Sequence, residues 1–210
     1  VHVAFGNVLG SDRKMLKSRS GEPVRFVDVV DEAIERATAS VLEKNPYLPA
    51  AERTQIGRMV GVGALKYADL STDRVKDYVF DWDRMLAFEG NTGPYLQYAH
   101  ARIRSILRKG GGRAAAPSVN LAFVTQERAL VLRLLQFDAA VEDTLDKFSP
   151  HRLCTYLFEL AQAFTSFYEA CPVLKADEAT RQQRLRLCEQ TARVLAKGLD
   201  LLGIEAPERM

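Results

Sequence analysis

Little in this chain equips it to span a membrane, hold a metal or run nucleophilic catalysis. No apolar run approaches the roughly 20 residues that a membrane-crossing helix requires, and the first residues do not read as a secretory signal. Histidine is scarce: His2, His100 and His151 are the three in the sequence. None is spaced as a ligand pair or set in a context that marks a base, so no Ser-His-Asp arrangement and no metal site is expected. The three cysteines, Cys154, Cys171 and Cys188, form no C-x-x-C pair. Their odd number and their places inside helical patterns fit a reducing compartment, and a cytoplasmic location is expected. A Walker loop and a G-x-G-x-x-G turn are both missing. Asp81 and Asp83 are paired carboxylates, but alternating exposed acids explain them equally well. The chain opens Val1-His2-Val3 without a methionine, so a piece of a longer protein is expected. Net charge is only +2, and nothing in the whole-chain balance calls for a polyanionic partner.

What is present is apolar material in helical order. Hydrophobic residues make up 47% of 210 residues, enough for a substantial core. Residues 1–9 alternate β-favouring side chains and predict one short strand. Asp28 to Glu43 predicts a helix with Val29/Val30, Ala33/Ile34, Ala37 and Val41 on one side, ended by Asn45-Pro46. Ala50 to Leu70 predicts a second, in which Gly57, Gly61 and Gly63 make sense where another backbone packs closely. Val79, Phe80 and Trp82 suggest a strand, with the single tryptophan as a core plug. Later stretches predict a helix capped by Thr125, with the pattern resuming through Val141 and Leu145. Another starts at Ser149-Pro150 and carries the stripe Leu153, Tyr156/Leu157, Leu160/Ala161, Phe164 and Phe167/Tyr168. A last one opens at Asp177-Glu178 and stops at Gly203. Together these predict an antiparallel bundle of at least four helices.

The chain is organised around the run from Phe88 to Arg104. Gly90, Asn91 and Gly93 break regular structure, Thr92 is placed to cap, and Pro94 begins a helix that runs to Lys109. This joint predicts a hinge between a mixed part, residues 1–90, and a helical part, residues 91–210. Residues 90 to 126 hold Arg102, Arg104, Arg108, Lys109 and Arg113 and no acid. Such a cluster is either the footprint of a phosphate backbone or a solvated helix face, and charge alone does not choose. The loop Gly110 to Asn120 beside it is long enough to wrap a single strand, or is a variable surface loop. A second basic stretch, Gly10 to Gly21, sets Lys14 and Lys17 three apart before Ser18 and Ser20. It reads either as a polyphosphate clamp or as an exposed basic loop.

Longer strings resolve some of these choices. His2-Val3-Ala4-Phe5-Gly6, the run Val24 to Ala37, Val60-Gly61-Val62-Gly63-Ala64-Leu65-Lys66-Tyr67-Ala68-Asp69-Leu70 and Phe80-Asp81-Trp82-Asp83 through Arg104 together resemble the C-terminal part of bacterial-type arginyl-tRNA synthetases, which are class I enzymes. The helical part, including Phe164 to Leu174 and the ending Pro207-Glu208-Arg209-Met210, resembles a DALR-type anticodon-binding domain. The resemblance implies a mainly α chain: a small mixed α/β remnant of a class I catalytic domain, then an antiparallel helical bundle. Lys14-Met15-Leu16-Lys17-Ser18 matches the family's K-M-S-K-S loop, with Leu16 where serine is usual. By that likeness the loop closes over ATP with Mg2+, and Lys17 stabilises charge on pyrophosphate with Lys14 assisting. The resemblance further implies tRNA contacts from Tyr98, Arg102, Arg104, Arg108, Lys109 and Arg113, with the Gly110 to Asn120 loop and Met210 facing the anticodon.

The other class I signature, H-I-G-H, is absent, with the strands that carry it. Arginine-binding residues would lie upstream, so ATP and arginine are reached through another part of the enzyme and this stretch alone is expected to be inactive. A monomer with arginine-specific tRNA as partner and no membrane contact is expected. Three rivals remain: a stand-alone RNA-binding module without catalysis, a non-binding helical scaffold, and a class I synthetase for another amino acid such as cysteine, against which the Gly90 to Arg104 string argues.

Overall fold

The structure is a computed structural model that describes residues 2–10, 12–14, 25–111 and 122–210. Among these residues there are two short strands and eight helices: β1 (Val8–Leu9), α1 (Phe26–Lys44), α2 (Ala50–Leu70), β2 (Tyr78–Val79), α3 (Trp82–Met85), α4 (Gly93–Lys109), α5 (Thr125–Leu134), α6 (Phe137–Lys147), α7 (His151–Ala170) and α8 (Glu178–Leu201). The mainly helical class and the bundle are as the sequence predicts.

The first strand is shorter than residues 1–9 suggest. β1 pairs in parallel with β2, Val8 opposite Tyr78 and Leu9 opposite Val79. Parallel strands need a crossover, and the α1–α2 hairpin supplies it. The second expected strand is also narrower. Asp81 accepts from the Arg84 N–H at 3.1 Å and caps α3, so Trp82 starts a helical turn instead of continuing a strand. Trp82 is half-buried, with the Arg36 guanidinium 5.2 Å from its ring centroid, so it is not a core plug.

Glycine sets how closely α2 approaches its neighbours. A Cβ on Gly61 would lie 2.6 Å from the Ala33 carbonyl oxygen and 2.8 Å from the Ile34 Cα, both backbone of α1. A Cβ on Gly93 would lie 2.8 Å from the Gly63 carbonyl oxygen, so α2 meets α4 as tightly. α2 therefore serves two cores. Ile56 and Val60 pack with Ala37, Val41 and Leu48 in the smaller one. Tyr67 belongs to the larger core of α4, α5, α7 and α8, which buries Leu96, Ile103, Leu157, Leu160, Leu195 and Leu199.

The joint is built as its residues suggest, with one shift. Thr92 Oγ1 accepts from the Tyr95 N–H at 3.2 Å and donates to the Ala87 carbonyl at 2.6 Å; Gly93 is the first helical residue and Pro94 the second. Gly90 has φ +73°, where a side chain would be strained. The Tyr67 hydroxyl lies 2.5 Å from Asn91 Oδ1 and 3.0 Å from the Cys154 carbonyl, tying joint, α2 and α7 together.

Two expected caps move by one residue. Val124, not Thr125, precedes α5, and Glu127 reaches back to accept from the Val124 N–H at 3.1 Å. This carboxylate is 1% exposed and is paired with Arg184 of α8 at 2.7 Å, so one acid anchors the start of α5 to the bundle. Pro150, not Ser149, precedes α7. The pattern expected to run on to Leu145 is interrupted at Leu135–Gln136, which separates α5 from α6. Arg74 ties the amino-terminal segment to the bundle: Nε donates to the Phe148 carbonyl at 2.8 Å and Nη1 to the Ala4 carbonyl at 2.9 Å.

Replacing Gly61 by alanine tests the α1–α2 contact. The helix gains roughly 1 kcal/mol of propensity, but overpacking against rigid backbone costs about 1–3 kcal/mol. The net expectation is destabilisation of about 1 kcal/mol, read from urea denaturation; a more stable variant would mean that α1 gives way freely.

Candidate nucleic-acid interface

After Gly203, whose φ of +69° ends α8, the chain lies extended across α4 as a strap. An extended segment outside any sheet leaves its carbonyls needing partners. Here side chains provide them. Lys66 donates to Gly203 O at 2.5 Å, Gln97 Nε2 to Glu205 O at 2.8 Å, His100 Nδ1 to Pro207 O at 3.0 Å, Arg108 Nη1 to Glu208 O at 2.9 Å and Asn45 Nδ2 to Met210 O at 3.4 Å. Gln97 Nε2 also donates to Met59 O of α2 at 3.0 Å, so one fully buried amide joins α2, α4 and the strap. Gln97, His100, Arg104 and Arg108 repeat at helical spacing and make one polar stripe along α4.

The basic residues of α4 thus divide between two faces. On the stripe, Arg104 Nε is paired with Glu208 Oε2 at 2.6 Å, and Arg108 Nη1 is 4.0 Å from the same oxygen. One carboxylate answers two guanidiniums. Away from it, Tyr98, Arg102 and Lys109 share the opposite, exposed side. The Tyr98 ring meets Phe88 edge-on at 6.2 Å between centroids, and the Arg102 guanidinium lies 4.8 Å from the centroid of Tyr168 on α7. That contact pre-orders the Arg102 side chain while leaving it open to solvent.

Other expected site residues are scattered. Met210 is half-buried and packs against the smaller core beside Leu86 and Phe88. Arg113, and the Gly110 to Asn120 loop beyond Gly111, lie outside the described residues, as do Met15, Leu16, Lys17 and Ser18. Lys14 is described. Gly10 N–H donates to the Lys14 carbonyl at 2.8 Å, Asp12 accepts from the Lys14 N–H at 3.1 Å, and Arg13 adopts φ +59°. This tight turn holds Lys14 exposed, which suits a role toward phosphate in charge and access. The described residues show no enclosure for a nucleotide around it.

Residues 96–210, more than half of the chain, match the family model described as the DALR anticodon binding domain. The chain belongs to that family. Residues 1–82 match a second model, described as the catalytic domain of class I (R) tRNA synthetases. Similar curated proteins include an arginine–tRNA ligase of Thermobifida fusca, 59% identical over 213 residues, and one of Frankia casuarinae, 57% identical over 209. Each match covers all of this chain but only 37% and 36% of those proteins, so the chain spans about a third of their length. Among solved structures, Thermus thermophilus arginyl-tRNA synthetase superposes with a TM-score of 0.90 at 42% identity, over all of this chain and 35% of that one. Arginyl-tRNA synthetase of Plasmodium falciparum gives a TM-score of 0.81 at 31% identity, covering all of this chain and 35% of its own. The likeness to arginyl-tRNA synthetases seen in the sequence strings is therefore shown, and it runs through both parts of the chain.

Within this DALR-family bundle, the strap stripe was the part that sequence reading missed. Its signal was available: Gln97 and His100 are polar residues on the same arc as Arg104 and Arg108. Burial pushes the His100 imidazole below the ordinary histidine value; its bond to Pro207 and the charge of Glu208 act the other way, and Arg104 adds to the lowering. The unfolded chain therefore binds a proton more readily than the folded one, and stability should fall as pH drops below about 6.5 toward the depressed folded value. His100→Asn keeps a donor near Pro207 but cannot titrate. Urea midpoints should drop more between pH 7.5 and pH 5.5 in the parent chain than in this variant; equal drops would show that folding does not change the proton affinity of His100.

Proposed function

We propose that this chain is the part of a class I arginine–tRNA ligase that carries the ATP-closing loop and the anticodon-binding bundle. The observation that carries the reading is the joint match of residues 1–82 to a synthetase catalytic domain and of residues 96–210 to the anticodon-binding family. A stand-alone RNA-binding module accounts for the second match and not the first. The whole enzyme uses ATP with Mg2+ to activate arginine and passes it to its tRNA. Residues 1–90 contribute the loop Lys14 to Ser18, where Lys17 and Lys14 would stabilise charge on the departing pyrophosphate. Residues 91–210 contribute the tRNA surface, in a cytoplasmic monomer.

On that surface, Arg102 and Lys109 present positive charge on the open side of α4, and Tyr98 presents part of a ring. Phosphate contacts of this kind supply sequence-independent affinity, and stacking of a base on an aromatic ring adds about 1–3 kcal/mol. Arg113 and the Gly110 to Asn120 loop, which follow Lys109 in sequence, would add to these contacts.

Binding of arginine-specific tRNA by the 210-residue chain should be measured by fluorescence anisotropy between 50 and 300 mM salt. Affinity should fall steeply with salt. Arg102→Ala should weaken binding of all tRNAs alike and lower the log–log salt slope by about 1. No binding at any salt would leave the bundle a scaffold. A separate expectation concerns catalysis: the isolated chain should show no ATP–pyrophosphate exchange, and exchange above background would mean that a complete activation site lies within it.

A further inference from the structure

The two guanidiniums on the strap side of α4 face a carboxylate that is poorly secured. Arg104, Arg108 and Glu208 keep 40%, 42% and 59% of their side-chain surface exposed, and an ion pair this open contributes little to stability. The strap does not depend on it. Its backbone is held independently through Glu205 O and Pro207 O by Gln97 and His100, and Arg108 also donates to Glu208 O. The Glu208 side chain can therefore swing away while the strap stays in place. Beside it opens a groove of about 380 Å3, lined by Gln55, Met59, Pro207, Arg209 and one further acid, Glu52. Two guanidiniums against one carboxylate leave one positive charge unanswered, while in the groove the exposed Arg209 is matched by Glu52.

We propose that Glu208 occupies a phosphate seat: Arg104 and Arg108 form an anion site that the protein fills with its own carboxylate until a backbone phosphate of bound RNA displaces it. This rests on the RNA-binding reading above. It adds a second contact surface on α4, opposite Tyr98 and Arg102, and a device that sets affinity. A carboxylate and a phosphodiester both offer two oxygens to a guanidinium, so one can replace the other. Because the internal competitor is covalently attached, it weakens every polyanion alike and selects for ligands that bring several phosphates at once.

The test compares Glu208→Gln with Glu205→Gln. Both remove one negative charge from the strap, but Glu205 is exposed and binds through its backbone carbonyl only. tRNA and heparin serve as probes, titrated across salt, with thermal melts to confirm that both variants stay folded. Glu208→Gln should tighten binding about three- to tenfold at 50 mM salt, because no carboxylate has to be displaced, and the gain should shrink as salt rises. Glu205→Gln should change affinity less than twofold. Adding Arg104→Ala and Arg108→Ala to Glu208→Gln should erase the gain. The seat is disproved if the two glutamine variants behave alike, or if the gain survives loss of both arginines. If heparin shows the full pattern while no variant binds tRNA, the anion seat stands and the tRNA reading of the bundle fails.

Discussion

An extended tail needs somewhere to put its carbonyls, and α4 supplies it. Gln97, His100 and Arg108 lie on one arc of that helix and donate to Glu205, Pro207 and Glu208. These contacts close loops of about a hundred residues, which makes them entropically costly to form singly. They persist because two of the donors are also fixed by packing: Gln97 is fully buried and His100 is buried against the strap. Once the strap is down, Met210 reaches the smaller core beside Leu86 and Phe88. The last residues of the chain thus bridge the bundle to the α1–α2 hairpin.

That bridge would mean little if the two cores could slide, and α2 prevents it. Its Gly61 brings the backbone of α1 within a distance no Cβ would allow, and Gly93 of α4 does the same against the Gly63 carbonyl of α2. Tyr67 then extends α2 into the larger core and binds the joint through Asn91. The mixed part and the helical part are therefore packed as neighbours with a shared helix. Arg74 adds a second tie by joining the segment before β1 to the turn before α7. The turn at Gly10 to Lys14 follows β1 directly, so the basic loop starts from a base braced against the bundle.

The helices were legible because amphipathic period is a local signal. The glycines of α2 and the capping threonine of the joint were legible too, since each is a local chemical requirement. Failures came where a distant partner decided. Glu127 sits in the first turn of α5 by sequence, but its pairing with Arg184 of α8 is a long-range fact, and only its reach back to Val124 moves the cap off Thr125. At Trp82 the cap by Asp81 was a local signal that the strand pattern masked, and only the ring's contact with Arg36 is a long-range fact. The strap has no period at all. Its register is written in the donors of α4, about a hundred positions earlier.

Charge counting treated Arg102, Arg104 and Arg108 as one patch, and helix geometry separates them. Successive residues rotate by about 100°, so Arg102 and Arg104 differ by roughly 200° and cannot face one surface. One of these faces carries an arginine ordered on Tyr168 and open to solvent; the other carries two arginines tempered by a carboxylate from the strap. An unopposed guanidinium attracts a polyanion at range, whereas a pair half-cancelled by a carboxylate of its own chain attracts it more weakly and is filled only by a ligand that can displace that carboxylate at contact. Under the proposed RNA-binding role, a strand following the first face would be drawn in by electrostatics. In that role a strand that also reached the second would have to present a phosphate at the position Glu208 now holds. Fixing that position relative to Tyr98 and Arg102 is the work of the strap's backbone bonds, so in the proposed role a helix built mainly for packing would also gauge the shape of what binds to it.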